Sequence, residues 1–179
     1  MSDEKEAITH KILGTATQYY NKLSSYSNIC IPLDDSKPCW SEGILLFDLV
    51  YIPKDDLELA PPSPENNIES YSTFLELEIS LRATTANKVP IIVALFNNNN
   101  MNASYSSICF PNSIMDGDPI KYPFSLMWRT VMKDRTPQKW KVRIGTVNLS
   151  DTIYINRYPD DSLSDEKLYS TFSITERII

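Results

Sequence analysis

The segment Leu75-Glu-Leu-Glu-Ile-Ser-Leu-Arg82 decides the fold class, because apolar and polar residues alternate along it without interruption. Successive side chains of a β-strand point to opposite faces of the sheet, so the four aliphatic residues are expected to face a core. Glu76, Glu78 and Arg82 then face solvent or a partner. The segment therefore predicts an antiparallel strand with one wet face. The core-facing residues are Leu75, Leu77, Ile79 and Leu81.

Four other stretches of apolar or alternating residues predict further strands. They are Ile44–Ile52, Val89–Phe96, Tyr105–Phe110 and a stretch from Trp140 to Ile155. Pro90 has no amide hydrogen, which confines the second of these strands to a sheet edge or makes Pro90 one of its first residues. In the last stretch the apolar residues occupy even-numbered positions before Gly145 and odd-numbered positions after it. We therefore expect either one strand with a bulge or bend at this glycine, or two strands.

Helical spacing occurs in three other places. Ser2 can cap an amphipathic N-terminal helix over residues 1–23, whose apolar residues recur every three or four positions. Residues 125–134 are expected to form one short helix, and Ser164 caps a short C-terminal helix that includes Phe172. These patterns add helices to a chain that is otherwise rich in strands.

The combined pattern predicts an α+β fold. Its core is a mainly antiparallel β-sheet or sandwich, flanked by the N-terminal amphipathic helix and the short C-terminal helix. A doubly wound parallel sheet is not expected, because the strands do not alternate with long helices. The 179 residues, 42% of them hydrophobic, are enough for one buried core.

The domain organisation follows from this length. Residues 1–23 form the helix, and residues 24–179 form a single β-rich domain with a Pro-rich acidic loop at 53–72. This loop is long enough to suggest that it has a function of its own. Its clustered prolines are Pro61, Pro62 and Pro64.

The composition argues against an enzyme. Four glycines, one histidine and three cysteines leave little material for a phosphate-binding loop, imidazole catalysis or a metal site with several ligands. We therefore expect no catalytic residues, no cofactor and no metal. Binding and assembly are the functions to consider.

The cellular compartment is indicated by what the chain lacks. No apolar run suited to a secretory signal follows the N-terminus, and no apolar run approaches the roughly 18 residues that a membrane-spanning helix needs. The odd number of cysteines, without CxxC spacing, indicates reduced thiols. We expect a protein of the cytoplasm.

Charge is segregated along the chain. Between Glu42 and Ser80 there are nine acids and one base, a local charge of −8, and between Arg129 and Arg143 there are six bases and one acid, a local charge of +5. The two segments can pair within one chain or between copies, with Glu76 and Glu78 as the acidic counterpart face. The basic segment can instead meet RNA or an anionic membrane surface. Its basic residues are Arg129, Lys133, Arg135, Lys139, Lys141 and Arg143.

One segment near the C-terminus resembles part of a known protein family. The segment Ile144-Gly-Thr-Val-Asn-Leu-Ser-Asp-Thr-Ile-Tyr154, with Asp160-Asp-Ser-Leu163 after it, resembles the last conserved strand region of rhabdovirus matrix proteins. The segment Pro61-Pro-Ser-Pro64 precedes the first secure strand, where animal-virus members carry a Pro-rich late-budding motif, although no tyrosine follows it here. The shorter and less basic plant-infecting members are more similar to this chain.

The resemblance implies a non-enzymatic viral structural protein of matrix type. Such a protein self-assembles and bridges nucleocapsid and envelope, so the implied partners are further copies of the chain and a nucleocapsid protein. Its implied location is the virion and the host cytoplasm. Alternatives are another small β-rich viral protein (a jelly-roll capsid subunit, a movement protein or a silencing suppressor) and an intracellular adaptor.

Overall fold

The computed structural model describes residues 11–34, 36–54, 73–111, 120–158 and 168–178. Within these residues the chain is all-β, with eleven strands in three antiparallel sheets and no helix. The strands are β1 (Lys11–Tyr20), β2 (Ser24–Ser27), β3 (Ile44–Tyr51), β4 (Thr73–Leu81), β5 (Ala83–Thr85), β6 (Ile91–Asn97), β7 (Tyr105–Cys109), β8 (Phe124–Val131), β9 (Gln138–Thr146), β10 (Thr152–Ile155) and β11 (Ser170–Ile178).

Two four-stranded sheets form the body of the fold. Sheet 1 has the strand order β1-β11-β4-β8, and sheet 2 has the order β3-β9-β6-β7. Counted along the chain, these eight strands give the orders first-eighth-third-sixth and second-seventh-fourth-fifth. This is the strand order of a jelly roll, the sandwich of two Greek keys. A third sheet, β2-β10-β5, is built from three of the connections between them.

The core lies between sheets 1 and 2. It includes the four predicted residues of β4, which are at most 1% exposed, so the strand prediction for this segment is confirmed. Trp140 of β9 and Phe47 of β3 face them from sheet 2. The ring centroids of Phe47 in sheet 2 and Phe172 in sheet 1 are 6.0 Å apart, so the two sheets contact each other through these side chains.

A second apolar cluster covers the outer face of β6. Ile31, which precedes β3, is fully buried there together with Ile92 and Phe96. Ile31 also explains Gly145, since a Cβ atom on Gly145 would lie 2.7 Å from the Ile31 backbone nitrogen. The glycine permits a close approach of two chain segments. The apolar positions change from even to odd numbers here because the stretch forms two separate strands, β9 and β10.

The predicted α+β class is wrong, because the described part of each predicted helix is extended. Residues 11–20 of the predicted N-terminal helix form β1; residues 1–10 lie outside the described residues. In β1 the residues Thr15, Thr17 and Tyr19 are exposed while the residues between them are half-buried. Their β-branched and aromatic side chains favour a strand once a neighbouring strand is present, and β11 supplies that neighbour.

The other two predicted helices fail for related reasons. Most of the segment 125–134, expected to be a helix with Met127 and Val131 inward, instead lies in β8, and both of these residues point to solvent. The C-terminal segment forms β11, in which a buried Glu176 follows Phe172 and Ile174 on the core face. A charged residue at a core position hid the alternation of this strand.

Several predicted features lie outside the described residues. They include Pro61, Pro62 and Pro64, almost all of the loop at 53–72, and the start of the predicted C-terminal helix. Among the described residues, no helix is long and apolar enough to cross a membrane.

Asn156 joins four chain segments at the end of the sandwich near sheet 3. Its side-chain amide donates to the carbonyl oxygens of Tyr20 (2.8 Å) and Lys22 (3.2 Å), and its Oδ1 accepts a hydrogen bond from Ser170 Oγ at 2.9 Å. Its backbone N–H donates to the carbonyl of Arg82 at 2.9 Å. The residue is fully buried and has a φ of 56°, a conformation that asparagine tolerates better than most residues.

Replacing Asn156 with alanine should lower the free energy of unfolding by about 3 kcal/mol, because two carbonyls and one hydroxyl lose a buried partner and alanine is strained at this φ. Urea denaturation measures the change. Asn148→Ala, at an exposed position, is the matched control and should stay within about 0.5 kcal/mol of the parent chain. Equal stability of the two variants would contradict the role given to Asn156.

Candidate interaction surfaces

The outer face of sheet 1 is organised around Glu76. The Glu76 carboxylate lies 3.0 Å from Arg129 Nη2 on β8 and 3.1 Å from Arg177 Nη2 on β11, one guanidinium on each oxygen. Because both arginines cover it, Glu76 is only 8% exposed, although the sequence predicted that it faces solvent or a partner. Arg129 also lies 5.4 Å above the ring of Phe74. Glu78, the second predicted acid, is exposed on the same face.

The bases at the C-terminal end of the basic segment lie on the outer face of sheet 2. Lys139 Nζ is 3.2 Å from Asp48 Oδ2 on the adjacent strand β3. The Arg143 guanidinium donates to the carbonyl oxygens of Glu42 (2.6 Å) and Gly43 (2.8 Å), which fixes the segment that enters β3. Lys141, half-buried between them, shares this face.

Arg135 belongs to a buried cluster at one end of the sandwich. It forms an ion pair with Glu176, whose side chain is 0% exposed, and it also donates to the carbonyl of Lys54. Tyr51 donates its hydroxyl to the second oxygen of Glu176 at 2.7 Å. Burial, and the hydrogen bond to this carboxylate, raise the pKa of Tyr51 well above its usual value. A Cβ on Gly14 would lie 2.6 Å from the Tyr51 hydroxyl, so the cluster is closely covered.

The six predicted basic residues therefore do not share one surface. Arg129 lies on the outer face of sheet 1, while Lys139, Lys141 and Arg143 lie on the outer face of sheet 2, with the core between them. Four of the six contact an acid or a carbonyl of the same chain. Their role in self-association, and that of Glu76 and Glu78, stays a prediction.

Exposed apolar residues have a clearer distribution. More than half of the large apolar residues that are exposed in the described part of the chain lie on, or next to, the four edge strands of the two main sheets. They are Ile12 and Tyr19 at β1, Leu45, Val50 and Ile52 at β3, Ile108 and Phe110 at β7, and Met127 and Val131 at β8. The central strands β4, β9 and β11 instead turn mainly serine, threonine and charged residues outward, such as Thr175, Glu78 and Lys141, and the apolar outer face of β6 is covered by the cluster around Ile31.

One side chain bridges the two sheets at each flank of the sandwich. On one flank Gln18 of β1 accepts the edge N–H of Asp48 in β3 at 3.0 Å. On the other flank the Tyr105 hydroxyl of β7 donates to the edge carbonyl of Arg129 in β8 at 3.2 Å. The Tyr105 ring lies 6.2 Å from that of Trp140 and 6.3 Å from that of Trp128. Each flank of the sandwich is therefore bridged by a hydrogen bond between a side chain of one sheet and an edge strand of the other.

Sequence reasoning missed these edge residues, because it assigned residues 125–134 to a helix and did not place the strand at 44–52 at a sheet edge. The available signal was the recurrence of large apolar residues at every second position, Phe124, Leu126 and Trp128. The described residues contain no cluster of three or more potential metal ligands. A shallow groove of about 340 Å³ is lined by Lys37 and residues 100–104.

Comparisons with known proteins give no family. No family model matches the chain, and no curated protein matches it. Among solved structures, the decameric BFDV capsid protein is similar at a TM-score of 0.21 and 8% identity, over 93% of this chain and 99% of that one. A likeness of this size carries no argument about fold or function.

Removal of Arg135 should be strongly destabilising, because it leaves the buried carboxylate of Glu176 without its cation. Arg135→Met is expected to lower the free energy of unfolding by about 3–5 kcal/mol. The exposed Lys133→Met is the control, with a change within about 0.5 kcal/mol. Adding Glu176→Gln to Arg135→Met should recover part of the loss, because the unpaired charge is then gone. A double variant as unstable as the single one would contradict this account.

The three thiols should differ in reactivity. Hydrogen bonds from the Ser41 hydroxyl and backbone lower the pKa of Cys39, whereas burial raises the pKa of Cys30 and raises that of Cys109 to about 11. Because the thiolate is the nucleophile, iodoacetamide at pH 7.5 should label Cys39 first and Cys109 last. Mass spectrometry of the peptides over time measures the order. Labelling of Cys109 before Cys39 would contradict it.

Proposed function

We propose that this chain is a non-enzymatic structural subunit that assembles with further copies of itself, and that it is a β-rich viral protein of jelly-roll type. The observation that carries the proposal is the set of apolar residues exposed on all four edge strands. The proposed location is the virion and the host cytoplasm. The proposed partners are other copies of the chain and a nucleocapsid protein.

The architecture supports a structural role by analogy. Jelly rolls with this strand order are common in viral capsids, and they also occur in lectins and cupins, so the fold alone does not select among these functions. The capsid analogy is the one that the surface of this protein favours.

The edges support self-assembly directly. Monomeric β-proteins protect their edge strands with lysine, proline, bulges or covering segments, because an open edge pairs with other chains. The edge strands β1 and β3 each have one register irregularity of the bulge type, whereas β7 and β8 pair without one. On β8, Val131 is 65% exposed and Met127 54% exposed. Apolar side chains at an open edge are suited to a protein that uses its edges for contacts.

The type of assembly distinguishes the proposed jelly-roll subunit from a matrix protein and from an adaptor. A matrix protein, as implied by the resemblance of residues 144–163, gives sheets or helical arrays, while a capsid subunit gives closed shells. Electron micrographs of concentrated protein distinguish these forms. An adaptor would remain a monomer at every concentration, and that result would contradict the proposed function.

A single edge variant tests the role of the edges. Val131→Lys places a charge at the exposed end of β8 and should reduce the assembled fraction at least tenfold, because a lysine must be desolvated at the contact. Ser80→Lys is the matched control, since it adds the same charge on the same outer face, but on the central strand β4. Sedimentation velocity measures both. Equal assembly of the two variants would show that the β8 edge is not an assembly contact.

A further inference from the structure

We infer that copies join head to tail, with β8 of one copy pairing with β1 of the next copy to extend sheet 1. This inference rests on the proposed self-assembly and names its contact. Both strands are edges of the same sheet, and no strand of the described residues pairs with the outer side of either. The occupant of each edge is the opposite edge of a second copy.

Strand direction permits this pairing. Neighbouring strands of sheet 1 are antiparallel at every step, so β1 and β4 run one way and β11 and β8 run the other way. A copy displaced along the sheet, without rotation, therefore places its β1 antiparallel to β8. The antiparallel alternation continues across the seam.

The free backbone groups also match. Met132 donates its N–H to Thr73 O at 3.0 Å, so even-numbered residues at β8 bond to β4 and odd-numbered residues direct their N–H and C=O groups to the open edge. The Tyr105 hydroxyl on the Arg129 carbonyl agrees with this parity. That carbonyl has a second lone pair available.

The same alternation can be followed across the sheet to β1. Arg129 is opposite Glu76, Glu76 is opposite Thr175, and Thr175 is opposite Thr15. Along this row, hydrogen-bonded and non-hydrogen-bonded pairs alternate from one strand pair to the next. Glu76 and Thr175 form a hydrogen-bonded pair, whereas Arg129–Glu76 and Thr175–Thr15 are non-hydrogen-bonded pairs. The backbone N–H and C=O of Thr15 therefore also point to the open edge. Arg129 and Thr15 of the next copy can therefore exchange backbone hydrogen bonds.

The side chains at the seam are complementary in the adjacent row. Val131, Phe74, Arg177 and Ile12 lie in one row across sheet 1. The register of β1 shifts by one residue between Ile12 and Gly14, so three residues of β1 span the same rows as two residues of β11 or β8. Continuation of the row therefore places Val131, 65% exposed, beside Ile12 of the next copy, 53% exposed. Pairing of these residues would cover two of the large apolar side chains that the single copy leaves in solvent.

This contact is heterologous, since two different edges meet. Such a contact builds an open or ring-shaped array, and the right-handed strand twist rotates each copy relative to the last. A two-fold contact between two β8 strands would instead give closed dimers. The two geometries place different residues opposite Val131.

Disulfide trapping tests the pairing. Val131→Cys and Ile12→Cys are made in separate full-length chains, one with a size tag, and mixed under a glutathione redox buffer. Opposed Cα atoms of an antiparallel pair are about 4.5–5.5 Å apart, within the range that a disulfide spans. We expect a disulfide-linked heterodimer in the mixture, at least tenfold above that in a mixture of Ser80→Cys with Ile12→Cys. Unsubstituted chains report the background from the native cysteines.

Three other outcomes would overturn the inference. Linked dimers of Val131→Cys alone would show a two-fold β8 contact, and assembly with no link above the Ser80→Cys control would show a contact elsewhere. In both cases the proposed self-assembly stands. Absence of assembled species in sedimentation velocity, for the parent chain at high concentration, would remove the proposed function as well.

Discussion

A sandwich of two open sheets has four strand edges, and each edge carries backbone N–H and C=O groups that need partners. This constraint organises the protein. Between the sheets, Gln18 and Tyr105 each supply one hydrogen bond from a side chain of one sheet to an edge of the other. Beyond those bonds the edges carry exposed apolar residues, whereas the outer faces of the central strands are mainly polar or, on β6, covered by Ile31. The edges are therefore where a second molecule is most readily accommodated.

The charges of the chain act mainly within the fold. Glu76 holds β8 and β11 together on the outer face of sheet 1, and Glu176 holds the β8–β9 connection through Arg135 at the end of the core. Arg143 bonds to backbone carbonyls before β3. The acidic and basic segments of the sequence thus meet inside one copy at several points. Segregation of charge along a chain does not by itself produce opposite faces on the folded molecule.

Part of this fold could be predicted from the sequence. Strict alternation identified β4 and its core face, and apolar runs identified β3 and β6, because strands with a consistent inner face carry a local signal. The strands β1, β8 and β11 were missed or assigned to helices. Edge strands such as β1 and β8 have mixed polarity on both faces, and β11 carries Glu176 at a core position. The contacts that make these segments extended come from residues far away in the chain.

The candidate surface was harder to predict for the same reason. Val131 and Ile12 lie far apart in sequence, and only the sheet places them in one row at opposite edges. Sedimentation velocity of the parent chain at 0.1 M and 1 M sodium chloride tests the central claim most directly. Salt screens exposed charge pairs but not apolar contacts or backbone hydrogen bonds, so the account predicts that the assembled fraction is unchanged or larger at 1 M salt. Dissociation to monomers at 1 M salt would contradict it and would favour contacts through the basic segment between Arg129 and Arg143.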